Sequence, residues 1–243
     1  TVAGGLDGDE TDGGNLSVSG EGDFSRKIGA EGRVLRTRIN TDGYSIKTQD
    51  KAVISAYDSY IYSTGSAIMG GSGHIISGDF DLIGGGALNN ISGCDYAFIG
   101  GGTDIDIIDS SYSSSIGGYN NDISGSSYSV IGGGQNNSIE GSFSNYIGGG
   151  EGNLINSESS FIGGGINNKV LGGYSFVGAG EENIASGEFS IIIGGENNKT
   201  FGDYSVIAGG EGNTVSGKYS FIGGGELNEA YSEHSYAFGR QAK

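Results

Sequence analysis

The sequence predicts an all-β protein, a parallel β-solenoid or β-roll of coils 15 or 16 residues long, assembled as a homotrimeric fibre. Three observations carry that reading. The stretch "YSFIGGGELN" (219–228) recurs in altered form back through the chain, and self-similarity at a short fixed period marks a stacked, quasi-one-dimensional structure. Gly supplies 52 of the 243 residues and Pro none, a composition for tight corners; the missing Pro and missing Gly-X-Y triplet exclude collagen. Finally, each copy places two apolar residues side by side. Neighbouring side chains on a strand point to opposite faces, so such a strand needs cover on both.

Taken from the start of the chain, residues 1–51 are the least regular. "NLSVSGEGDFSRKIGAEG" (15–32) reads as a decayed repeat, and "GRVLRTRINTDGYSIKTQ" (32–49) as a hairpin-like pair around "NTDG". The segment is expected to be an insertion or an adaptor. Thr1 begins inside "TVAGG", which reads as a partial repeat, so the chain is expected to be a piece of something longer. Residues 52–239 form the repeat domain, and 240–243 an exit segment.

From Ala67 onward the unit is aromatic, Ser, two apolar residues, three Gly, two variable residues, Asn, a variable residue, an apolar residue, Ser, Gly and a variable residue. It holds two short strands. The first contributes an inward column that includes Ile68, Ile83, Ile131, Ile162 and Ile222. It also contributes an outward column of Leu82, Phe98, Val130, Tyr146, Phe161, Phe176, Ile191, Val206 and Phe221. Only Ser114 and Ser115 break both. A coil this small buries about one side chain per strand, too little to offset chain entropy alone. The outward column is therefore expected to be an interface with other copies of the chain, and three-fold symmetry lets each copy bury one such face.

The second strand points Ile76, Ile91, Ile107, Ile123, Ile139, Ile155, Val170, Ala185, Thr200, Val215 and Ala230 inward. Its other face is mostly polar and meets water. Asn89, Asn121, Asn137, Asn153, Asn168, Asn183, Asn198, Asn213 and Asn228 share one corner, where a stacked Asn ladder can satisfy buried backbone groups by repeating the same bonds. Glycosylation at "NKT" (198–200) or "NNS" (136–138) is the competing reading. Phe80, Tyr96, Tyr112, Tyr128, Tyr174, Phe189, Tyr204 and Tyr219 line another corner, as a packing ladder rather than a ligand platform. Some twelve coils give a rod roughly 60 Å long.

Charge and composition narrow the function. The net charge is −17, and from residue 52 onward five basic residues face twenty acidic ones; such a surface repels nucleic acid and anionic lipid. No apolar run is long enough to insert in a membrane. Cys94 is alone and reads as a small loop residue. His74 and His234 lie far apart at different corners, and no Ser has a neighbouring base. Asp104, Asp106 and Asp109 in "TDIDIID" are weak candidates for a hard cation, with a solvated acidic edge as the blander reading. Glu151, Glu196, Glu211 and Glu226 share the place after the Gly run and suggest a surface stripe. No enzymatic activity and no cofactor are expected.

The pattern "NTVSGKYSFIGGGELN" (213–228) is similar to the Asn-x-x-x-Gly-x-x-Ser-x-x-x-Gly repeats of the YadA-like head of trimeric autotransporter adhesins, and to related bacteriophage tail-fibre repeats. The resemblance covers about residues 52–239. It implies a left-handed β-roll, three interlocked chains, and attachment to a host-surface glycan or protein receptor from a bacterial surface or virion. Two departures stand out: Ile or Phe where adhesin heads commonly place Ala, and a heavier Gly run. The ending "YAFGRQAK" resembles the exit from such repeats. The "NTVSG" coil is also similar to those of plant ice-binding proteins, which implies the alternative of a monomeric ice-binding β-solenoid; regular Thr rows are missing for that role.

Overall fold

A computed structural model describes residues 53–54 and 56–243. The expectations for residues 1–51 lie outside the described residues. All regular elements described are strands, arranged in two parallel sheets that face each other across a narrow core. The first sheet has 13 strands, from Val53–Ile54 to Tyr236–Arg240. The second has 12, from Tyr60–Ile61 to Glu229–Ala230. Successive strands in each sheet come from successive coils. Val206 pairs with Phe221 and Ile207 with Ile222 in the first, and Thr214 with Glu229 and Val215 with Ala230 in the second.

The core is two facing columns. Ile68, Ile83, Ile99, Ile131, Ile147, Ile162, Val177, Ile192, Ile207 and Ile222 on the first sheet are fully buried. So are Ile76, Ile91, Ile107, Ile123, Ile139, Ile155, Val170, Ala185 and Val215 on the second. Two inward positions are polar. Thr200 donates across the core to Ser190 Oγ at 3.0 Å, whereas the buried Ser115 Oγ has no partner.

A third line of contact runs along the Gly-rich corner, as single parallel bridges that link Thr103, Tyr119, Gln135, Glu151, Ile166, Glu181, Glu196, Glu211 and Glu226 in register. The acidic stripe therefore includes Glu181, which the repeat alignment leaves out. Backbone N–H groups at strands and corners alike donate to the adjacent coil, as Ala208 does to Ile222 (2.9 Å), Tyr219 to Asp203 (3.0 Å) and Leu227 to Glu211 (2.9 Å). A Pro at such a place would remove a donor from the stack.

Positive φ explains only part of the Gly run. Gly165 has φ +93°, but Gly163 does not adopt positive φ; a Cβ there would collide with the carbonyl of Gly178 in the next coil. Conversely, two left-handed corners are held in most coils by residues other than Gly, such as Tyr204 and Tyr219 (φ 55° and 56°) and Asn167 and Asn197 (φ 53° and 54°). That conformation costs an L-residue about 1–2 kcal/mol. At the aromatic corner, an inter-coil hydrogen bond and ring stacking offset it.

Candidate functional site

The repeat leaves four kinds of surface, and each follows from what its residues touch. The Asn corner is interior. Its nine Asn side chains are 0–1% exposed. Asn213 Nδ2 donates to Gly209 O (3.1 Å) and Gly225 O (3.0 Å), while its Oδ1 accepts from Asn228 N–H at 2.9 Å. The same bonds repeat at Asn153, Asn168, Asn183 and Asn198. Asn198 is thus committed to the ladder and closed to a glycan, whereas Asn136 of "NNS" is exposed. His74 takes the Asn place in its own coil. Its Nδ1 accepts from Asn89 N–H (3.2 Å), which puts the proton on Nε2, and burial holds its pKa below the ordinary value. Ile105 interrupts the ladder, although its N–H still donates to Asn89 Oδ1 at 3.1 Å.

The opposite corner carries a second buried ladder that the sequence reading missed. It runs through Ser66, Asp81, Ser113, Ser129, Asn145, Ser160, Ser175, Ser190 and Ser220. Apart from Ser190, whose Oγ accepts from Thr200, the side-chain oxygens take the next coil's N–H, as Ser129 Oγ does from Asn145 (3.1 Å) and Asn145 Oδ1 from Ser160 (2.9 Å). Asp81 Oδ1 accepts from Ala97 N–H at 2.7 Å, but Oδ2 is buried without a partner. Burial, with smaller contributions from Asp95 and Asp79, pushes this carboxyl up to about 7. Cys94 lies beside this corner rather than in an open loop. Ser110 N–H donates to its Sγ at 3.2 Å, and burial pushes the thiol up to about 11, which leaves it unreactive at neutral pH.

The aromatic row forms two runs of stacked rings, Phe80 to Tyr128 and Tyr174 to His234, with neighbouring centroids 4.9–5.3 Å apart. Within a run each ring covers its neighbour's face. The Tyr and Phe residues of the row remain 38–61% exposed, so each run packs its corner and also presents an exposed aromatic edge to solvent. Lys218 sits over Tyr204 and Tyr219, 5.4 and 5.2 Å from their centroids.

The outer face of the first sheet is the fourth surface. Leu82, Val130, Phe161, Phe176, Val206 and Phe221 are half-buried there, while Phe98, Tyr146 and Ile191 are exposed by 37–40%. Tyr146, Phe161 and Phe176 stack at 5.1 Å. A compensation not visible in the column alone appears two residues further on, where positions usually held by Gly carry Met69, Ile116, Ile193 and Phe238, all exposed. Positions two apart share a face. Ile116 therefore supplies the apolar side chain in the coil whose outward position is Ser114, and Met69 does so beside the small Ala67. Along the described coils, continuity of the apolar strip comes from the two positions together.

The acidic candidates do not gather. Asp104 and Asp109 occupy left-handed corners (φ 58° and 50°), while Asp106 is half-buried on the second sheet's outer face, in register with Asp122. Burial, then Asp106 and Glu140, pushes Asp122 up to about 6. Among the described residues no group of three or more His, Cys, Asp or Glu is placed to hold a metal ion. An open groove of about 590 Å³ follows the Gly corner past Tyr119, Gln135, Glu151 and Ile166. Compared with models of protein families and with curated proteins, the chain matches none.

Proposed function

We propose that this chain is one protomer of a homotrimeric, left-handed β-roll fibre segment that serves attachment to a cell or other surface and performs no catalysis. Its 15- to 16-residue coils stack along the fibre, and the first sheets of three copies face a shared axis. The observation that carries this reading is the apolar strip on the first sheet, kept continuous by Ile116 beside Ser114 and Met69 beside Ala67. Exposed apolar strips of such extent mark interaction surfaces, and rotation about one axis lets every copy bury the same strip. The second sheet then faces outward with its more polar row. The likeness of "NTVSGKYSFIGGGELN" to adhesin-head and tail-fibre repeats supports an extracellular setting, on a bacterial surface or a virion, with a host-surface glycan or protein as receptor.

Two substitutions separate this assembly from a monomeric, ice-binding solenoid. Phe221→Asp places a charge on the strip, and Thr214→Asp places one on the outer face of the second sheet. Phe221→Asp is expected to lower the assembled mass while Thr214→Asp preserves it. Equal loss of assembly from both sinks the interface.

A further inference from the structure

We propose that Lys169 and Lys199 form a docking site for an acidic polysaccharide that carries one anion per disaccharide. The site rests on the attachment reading above, but it is built within a single chain. Three of the five cations among the described Lys and Arg residues have acidic partners: Lys218 with Asp203, Arg240 with Glu226 and Lys243 with Glu229. Lys169 and Lys199 have none. They project from the outer face of the second sheet, where Lys169 pairs with Ile184 and Ile184 with Lys199. Two strand spacings separate them by about 10 Å, a span on the scale of a disaccharide.

Between and beside them lies a groove of about 310 Å³, lined by Asn167, Lys169, Glu182, Ile184, Asn197 and Lys199, within the size range of ligand sites. The left-handed corner at Asn167, Glu182 and Asn197 (φ 53°, 53° and 54°) forms its rim. Each group suits a sugar chain. The ammonium groups meet successive carboxylates or sulfates, the two amides and Glu182 meet hydroxyls and acetamides, and half-buried Ile184 meets the apolar face of a pyranose ring. Charge spacing selects against nucleic acid, whose phosphates follow every few ångströms and would meet Glu182 and the rod's net negative field. A sparsely charged polysaccharide can place its anions on the two lysines alone.

The test is calorimetric titration of the full chain with a hexasaccharide of alternating glucuronate and N-acetylglucosamine, with a sulfated hexasaccharide and with a neutral one of equal length. Light scattering on the same samples gives the assembly state. Binding of an acidic hexasaccharide is expected to weaken about threefold in Lys169→Gln or Lys199→Gln and about tenfold in the double variant, with melting unchanged. Carboxylated and sulfated arms identify the preferred anion. Absence of acidic-sugar binding by the wild type overturns the site, as does equal binding of the neutral sugar or an equal loss in Lys218→Gln. Such a result from a trimer leaves the fibre reading intact; lysine-dependent binding by a monomer supports the site and removes the fibre.

Discussion

Replacement of Asp81 by Asn should make the early coils more stable at pH 8 and leave them unchanged at pH 4. Asp81 is 1% exposed, with one oxygen on Ala97 N–H and the other unpartnered. Its carboxyl titrates at about 7 in the fold against an ordinary value of 3.8. Below about pH 4 both folded and unfolded chains hold the proton. Between pH 4 and 7 the unfolded chain has released it while the folded chain retains it, so stability falls as pH rises. The slope is about 1.4 kcal/mol per pH unit, or about 4 kcal/mol in all. An amide of the same shape escapes this loss. Asn145 already occupies the corresponding corner, accepting from Ser160 N–H at 2.9 Å and donating to Ser126 Oγ at 3.4 Å. Long repeat arrays need not unfold all at once, so the appropriate reading is hydrogen exchange at the Ala97 amide, corrected for intrinsic rate and compared between the proteins at each pH. Protection in Asp81→Asn should exceed the wild type at pH 8 and match it at pH 4. A difference independent of pH, or weaker protection at pH 8, refutes burial of a neutral carboxyl.

Two further substitutions probe the core and the Asn corner. Ser115→Ile restores the inward column between Ile99 and Ile131 and removes a buried hydroxyl without a partner; it should raise stability by about 1–2 kcal/mol, and a lower unfolding midpoint would show that the column is too narrow there. Asn183→Ala strips Ala179 O and Gly195 O of a donor and Asn198 N–H of its acceptor. It should cost about 3 kcal/mol, whereas Thr214→Ala on the outer face should cost under about 0.5 kcal/mol; similar losses would contradict the ladder.

How much was legible depended on whether a contact leaves a repeating side chain. The inward Ile columns, the Asn of each corner and the Tyr or Phe row recur in kind, so their periodicity placed them. Contacts made by backbone alone leave no such trace. The bridge row passes through Thr103, Tyr119, Gln135 and Ile166, four unlike side chains joined only by their peptide groups. Ser129 and Ser160 look like solvent-facing turn residues in sequence, yet they are buried because the next coil's N–H needs an acceptor there. The Gly run signals tight corners, but the need for Gly at Gly163 comes from the closeness of the next coil's carbonyl, a backbone contact with no side-chain trace. Ile116 and Met69 depart from the consensus, so periodicity gives no sign of them, and that departure completes the apolar strip.

The most direct test of the account is the solution mass of the intact chain, by light scattering after size exclusion. A mass near three times 24.7 kDa is the predicted result, with the apolar strips of three first sheets buried on one axis. A mass of 24.7 kDa under the same conditions leaves the strip in water and contradicts the fibre.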